Sequence, residues 1–312
     1  LKRPQHLIGP SHPPLHKVAL MRTSDLLRLA ALVFTAVTCV VMGDTAGKLL
    51  TARGVDPVVV AWSRFALGAL VLLPLSGMRL SELYIARDWR VWLRAGLVTG
   101  GISCILTALK TEPIANVFGA FFVGPIVSYV IAVLFLGERP SLQRSLLLGL
   151  GFIGVMLVVK PGFGASFGLL YALAAGCCYG TYLAVTRTVA GSYRPRLLLM
   201  SQLLIGSLLL TPVGISADLP ALSWPIMALL AISALGSAVG NYILVVASKT
   251  AEASLIAPLV YSQLISATVL GVVVFGDWPD VISLCGLALI VLSGFGSLVV
   301  HQRSHAPVLA AK

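Results

Sequence analysis

The chain has 312 residues, of which 58% are hydrophobic and 11% charged, with a net charge of +11. A soluble domain carries about 25% charged residues, so the composition excludes a soluble fold and points to an integral membrane protein. No basic cluster interleaved with aromatics stands outside the apolar runs, which argues against a nucleic-acid partner. The five cysteines lie inside apolar runs without CxxC spacing, which argues against a disulfide framework.

Residues 1–20 are rich in Pro and His and lack periodicity, so a disordered tail is expected over 1–25, with Met21 a candidate natural start. Ten apolar spans follow, each read as a transmembrane helix. They cover Leu26–Leu50, Pro57–Ser76, Val91–Leu109, Pro113–Leu136 and Ser145–Val159, then Phe167–Thr186, Pro195–Val213, Trp224–Ala247, Glu252–Phe275 and Val281–Val300. Residues 301–312 form a second tail. Short connections carrying Pro, Gly and charge leave no room for a soluble domain.

Lys and Arg fall mainly on one side of such a bundle. Arg79, Arg87, Arg90, Arg94, Arg139, Arg144, Arg194 and Arg196 share the side of both tails, whereas only Arg53, Lys110 and Lys160 mark the other. The bias predicts an inner (cell) membrane protein with both termini cytoplasmic.

The chain repeats itself. Lys110-Thr111 through Gly137-Glu138 is echoed by Lys249-Thr250 through Gly276-Asp277 at an offset of 139. Pro57, Ser63, Gly68 and Pro74 recur as Pro195, Ser201, Gly206 and Pro212 at an offset of 138. Five spans per copy is odd, so the copies, 26–160 and 161–300, enter the membrane in opposite senses. The expected fold is all-α, ten transmembrane helices in two inverted five-helix repeats around a central cavity, an arrangement suited to alternating access.

Several residues are candidates for that cavity. Asp44 and Lys48 lie four apart on one helical face, either as a wetted ion pair or as part of a polar lining. Asp44 is also the one deeply placed carboxylate for proton coupling. Arg64 lies seven residues into its span, placed to snorkel, to bind an anionic group, or to pair with Asp44. Its repeat partner is the uncharged Gln202. Phe118, Phe122 and Tyr129 approximate one face of span four, which also holds Asn116. Tyr261 falls on Phe122 in the echo, suggesting two aromatic walls across a pseudo-twofold axis, with interhelical packing as the plain alternative. Ser233, Ser237, Asn241 and Tyr242 add polar groups in span eight, and Tyr179 and Tyr182 in span six. Pro125 is expected to kink span four near its middle, and Pro258 span nine. Three GxxxG pairs, Gly96/Gly100, Gly176/Gly180 and Gly236/Gly240, are expected to bring helices close.

Catalytic motifs fail. The GxGxxG of Gly149–Gly154 sits inside an apolar span, and there is no Walker A, HExxH or GxSxG. All five histidines lie in the tails. No cofactor is expected and an enzyme is disfavoured. The expected partners are a small-molecule substrate and membrane lipid, and a homodimer is left open.

With these features the chain resembles the drug/metabolite transporter superfamily, EamA type. The resemblance rests on Gly43 with Lys48, Trp62-Ser63-Arg64-Phe65, Ala108-Leu109-Lys110, Pro125 and Leu136-Gly137-Glu138, in that order. Phe121-Phe122-Val123-Gly124-Pro125 and Gly43-Asp44 are similar to a subgroup that includes riboflavin and S-adenosylmethionine carriers. The resemblance implies a cavity among spans one, three, four, six, eight and nine, near Asp44, Asn116, Phe122, Tyr179, Asn241 and Tyr261, with Arg64 flanking it. It also implies a secondary transporter of a small polar or amphipathic metabolite, such as an amino acid, a riboflavin-like or a nucleoside-like compound. A channel or a receptor-like membrane protein is the alternative.

Overall fold

The computed structural model describes residues 23–135, 137, 142–160, 166–189, 192–217, 221, 223–250 and 259–305. The first half comprises α1 (Thr23–Ala52), α2 (Pro57–Ser76), a 3-10 helix (Leu80–Arg87), α3 (Trp89–Thr111), α4 (Ile114–Phe121), α5 (Val123–Phe135) and α6 (Leu142–Val159). The second comprises α7 (Phe167–Val189), α8 (Pro195–Ser216), α9 (Trp224–Thr250), α10 (Gln263–Leu270) with a π-helical turn (Gly271–Phe275), and α11 (Val281–His305). Seven helical segments are long and apolar enough to cross a bilayer, and shorter apolar segments over 145–159, 263–275 and 281–296 bring the set to ten. Of the disordered tail expected over 1–25, residues 1–22 lie outside the described residues and 23–25 already belong to α1; of the second tail, 301–305 continue α11. Glu138, Pro258 and the side chain of Lys249 also lie outside the described residues.

The repeat governs the packing. α1 lies along α9 and α3 along α7, while α2 pairs with α8 and α6 with α11. Exchanging the halves maps each of these pairings onto another member of the set or onto itself. Side chains obey the same relation. A Cβ on Gly206 would strike the Phe65 ring at 2.6 Å, and one on Gly68 would meet Leu203 at 3.5 Å; 65 and 203, like 68 and 206, are 138 apart. Ser63 Oγ donates to Val60 O at 2.8 Å, and its echo Ser201 Oγ donates to Leu198 O at 2.9 Å. The glycines of the Gly-acid pairs that close the echoed stretches also share a geometry. Gly137 and Gly276 have φ of 69° and 71°, the left-handed conformation that ends helices and that only glycine adopts cheaply.

Close helix approach uses some of the expected glycines. On α9, a Cβ at Gly236 would meet Cys39 O at 2.7 Å, and one at Gly240 would meet Ala36 O at 2.5 Å. Gly176 and Gly180 of α7 press on the carbonyls of Phe121 and Gly124 at 2.5 and 2.3 Å from their notional Cβ positions. Gly154 of the GxGxxG string abuts Gly286 of α11, so that motif serves packing. Gly96 and Gly100 do not conform. A Cβ on either meets nothing within 4 Å, because α3 turns its opposite face to α7.

Span four breaks at Phe122, between α4 and α5, three residues before Pro125. Proline lacks an N–H and its ring crowds the carbonyl four residues earlier, here that of Phe121, against which Gly176 packs. Span nine is interrupted at Tyr261–Ser262, just before α10. Phe122 and Tyr261 are the echoed positions, so the two copies break at matching points although their prolines do not match.

Candidate functional site

Asp44 on α1 and Arg64 on α2 form a buried ion pair. Arg64 Nη1 donates to Asp44 Oδ1 at 2.5 Å, and each side chain is 4% exposed. Arg64 Nε donates to Ser233 Oγ of α9 at 2.7 Å. Arg64 therefore neither snorkels nor stands apart. It ties α1, α2 and α9 together, and a buried charge needs such partners. Its Nη2 is buried without a hydrogen-bond partner among the described residues and lies beside Gly47.

Lys48 is not the partner of Asp44. Its Nζ donates to Glu112 O at 2.8 Å and to Asp277 Oδ2 at 3.0 Å, and it lies 4.6 Å from the centre of the Phe275 ring. Four residues on from Asp44, it extends to the end of the bundle, away from the cavity described next. Ser166 Oγ donates to Glu112 Oε1 at the same end. Lys160 reaches Asp280 at 2.5 Å, so two ion pairs join the repeats there. The Lys160 hydrogen bond, helped by the Ser283 N–H, holds the Asp280 carboxyl down to about 2.

Four of the predicted residues, Arg64, Gln202, Ser237 and Asn241, line one small cavity, completed by apolar side chains of α2, α3, α8 and α9. Arg64 is thus a wall of this cavity, where the resemblance implied a flanking place. Gln202 Oε1 accepts from Tyr182 OH at 3.0 Å and from Arg94 Nη2 at 2.8 Å.

A row of rings leads away from Gln202. Tyr182 stacks on Tyr179 with centroids 5.7 Å apart, and Tyr179 lies 5.1 Å from Phe121. Phe121 meets Phe122 edge-on at 6.1 Å, and Phe122 stacks on Tyr261 at 4.7 Å. The break at Phe122 places two successive rings in the row, and Gly294 of α11 leaves room for Tyr261, since a Cβ there would lie 2.6 Å from the ring. Asn116 on α4 is half-buried with its Oδ1 unpaired among the described residues. Tyr129 leaves the face assigned to it: its hydroxyl pairs with Ser145 Oγ of α6 at 3.0 Å.

Sequence reasoning missed Arg94 as a site residue. It is 4% exposed and donates to Thr186 Oγ1 at 3.0 Å, Leu198 O at 2.8 Å and Tyr182 OH at 3.0 Å besides Gln202. Its guanidinium also lies 4.9 Å from the Tyr182 ring centre. Five residues from the start of its helix it reads as an orientation marker, and only the packing of α7 and α8 buries it.

The model of the EamA-like transporter family matches residues 27–160 and again 166–299. The chain belongs to this family. Its two matched segments contain every residue of the ion pair, the cavity and the aromatic row. This EamA-like transporter is 27% identical over 231 residues to a riboflavin transporter of Rhizobium johnstonii, covering 72% of this chain and 74% of that one. It is 22% identical to an S-adenosylmethionine uptake transporter of Rickettsia prowazekii, covering 80% and 85%, and 26% identical to a riboflavin transporter of Vibrio cholerae, covering 77% and 82%. A solved crystal structure superposes with a TM-score of 0.62 at 19% identity, covering 89% of this chain and 99% of that one, a likeness of fold. The protein is a membrane transporter and not an enzyme.

Proposed function

We propose that this transporter carries a metabolite with a planar ring and polar substituents, of flavin or nucleoside type, by alternating access of its two repeats. The observation that carries this is the row Tyr182, Tyr179, Phe121, Phe122 and Tyr261, which starts at Gln202 on the wall of the polar cavity. Aromatic faces bind a flat ring by offset or edge contact, and Arg64, Gln202, Ser237 and Asn241 supply the few convergent polar groups that orient a ligand. Asp44 holds Arg64. Ligands carried by the relatives, riboflavin above all, fit this chemistry.

The distribution of arginine supports a cell-membrane orientation with both termini cytoplasmic. Arg79, Arg87, Arg90, Arg94, Arg194 and Arg196 all lie at one end of the bundle, in or beside the connections from α2 to α3 and from α7 to α8. The opposite end, outside the cytoplasm in this orientation, carries the Lys48–Asp277 and Lys160–Asp280 pairs.

Counterflow in proteoliposomes tests the reading. Vesicles preloaded with unlabelled riboflavin should accumulate labelled riboflavin saturably, and a trans-stimulated signal distinguishes a carrier from a channel. If riboflavin and a panel of nucleosides and related ring compounds all fail to exchange, while a non-aromatic metabolite such as an amino acid does, the ring-binding reading is wrong.

A further inference from the structure

Among the described residues the first repeat carries two buried arginines, each bonded to a neutral side chain of the second repeat at an exchanged position. Arg64 on α2 matches Gln202 on α8 at an offset of 138, and Arg94 on α3 matches Ser233 on α9 at an offset of 139. In one polar node Arg64 donates to Ser233 at 2.7 Å; in its pseudo-symmetric counterpart Arg94 donates to Gln202 at 2.8 Å. The nodes are thus the same pair of positions with the cation moved from one member to the other.

Their charges are not the same. α1 supplies Asp44 to Arg64 at 2.5 Å. The position on α7 that matches Asp44 is Leu183, and its neighbour Tyr182 offers Arg94 a hydroxyl and a ring. All four acceptors of Arg94 are neutral, and no carboxylate among the described residues pairs with it. An arginine does not shed its proton inside a protein, and a buried charge without a counter-charge is unfavourable. Asp44 therefore cancels Arg64, and the charge of Arg94 stands uncancelled one residue, Gln202, away from the cavity. Leu72 and Leu199 also line a second, smaller pocket, which Arg196 helps to line. Among the described residues no acidic side chain lines either pocket.

We propose that the transported species is an anion, a planar ring carrying a carboxylate or phosphate, whose negative charge offsets Arg94 while it occupies the cavity. This rests on the ring-binding reading above and narrows it. The donors of Arg94 are already engaged, so it acts through its field, weakly screened in a medium of low dielectric. Arg94 is a specificity-determining positioning residue, and no direct contact with the substrate is needed.

The test is a charge series on the wild-type protein in proteoliposomes. Riboflavin is neutral, its 5′-phosphate ester is an anion of the same ring, and S-adenosylmethionine carries a net positive charge. The phosphate ester should inhibit counterflow at a concentration about tenfold or more below that of riboflavin, and S-adenosylmethionine should be the weakest. Arg94→Gln should bring the ester and riboflavin to similar potency, whereas Arg94→Lys keeps the preference. If riboflavin exchanges and its ester is equal or weaker, the inference of an anion falls and the ring-binding reading stands. If none of the three exchanges and an amino acid does, both fall. Should Arg94→Gln not survive purification, the order of the three compounds on the wild type decides.

Discussion

Lys48 of the first repeat binds Asp277 of the second at 3.0 Å, and the same Nζ holds Glu112 O at 2.8 Å. With Lys160–Asp280 at 2.5 Å, these contacts tie the repeats together at one end of the bundle. Alternating access at that end requires the pairs to part. Asp277→Asn should therefore shift the population towards the state open there. A cysteine introduced at Thr107, half-buried one turn before the end of α3 that leads to Glu112, in a variant lacking the five native cysteines, should be labelled by a membrane-impermeant maleimide several-fold faster when Asp277→Asn is present. Unchanged labelling would show that the contact is not part of a gate.

The second pair makes a statement about pH. Asp280 titrates at about 2 instead of 3.8 because Lys160 and the Ser283 N–H favour its charged form. A lowered pKa contributes stability that is fully present above 3.8 and is lost as pH falls from there towards 2. Both side chains are partly exposed, 27% and 51%, so solvent screening limits the effect to about 1 kcal/mol or less. Thermal unfolding in detergent should show wild type losing this increment between pH 4 and pH 2 relative to Asp280→Asn, with a constant difference between pH 5 and pH 7.

Asp44 and Arg64 couple differently, because each side chain is only 4% exposed. Removing one partner of a buried pair leaves a charge uncompensated, typically at about 3–5 kcal/mol. Asp44→Asn and Arg64→Gln should each lower the unfolding midpoint in detergent markedly, and the double variant should lose clearly less than the sum of the two. Additive losses would mean that the pair contributes no coupling. If transport is driven by protons, Asp44→Asn should also flatten its pH profile.

Span number, repeat offset and the echo of Phe122 in Tyr261 were legible in the sequence because hydropathy and residue spacing survive without tertiary information. The partner of Asp44 was legible only as one alternative among several. Helical spacing favours Lys48, but a lysine four residues nearer the helix end extends to the interface, while Arg64 comes from a neighbouring helix whose rotation the sequence does not encode locally. Arg94 was illegible as a site residue for the same reason, since its burial depends on α7 and α8 closing over the first turns of α3. The failure of Gly96/Gly100 is related. A GxxxG pair marks a face able to approach a helix, and only the docking of α3 on α7 decides which face is used.

That contrast sets up a paired test of packing. A Cβ on Gly43 would lie 2.8 Å from Ser233 O and 3.0 Å from Ser237 N, both on the α9 backbone, which cannot yield as a side chain would. Gly43→Ala should cost about 1–3 kcal/mol by overpacking and depress transport, because α9 carries Ser233 against Arg64. Gly96→Ala meets open space and should be neutral, or stabilising by up to about 1 kcal/mol through helix propensity. Equal losses at the two glycines would contradict the packing of α3 described above.

The stack of Phe122 on Tyr261 joins the two repeats at their matching breaks, with ring centroids 4.7 Å apart. Aromatic pairs of this kind contribute about 0.5–1.5 kcal/mol beyond the area they bury, which corresponds to roughly a 2- to 12-fold change in an equilibrium constant. If a planar substrate uses the same faces, Tyr261→Leu should raise the KM for counterflow by about that factor, whereas Tyr261→Phe, which keeps the ring, should leave KM within about twofold. Phe122→Leu should resemble Tyr261→Leu, and the double variant should add little, because either substitution already removes the stack. A Tyr261→Phe defect as large as that of Tyr261→Leu would instead assign the role to the hydroxyl, and the ring row would then be packing alone.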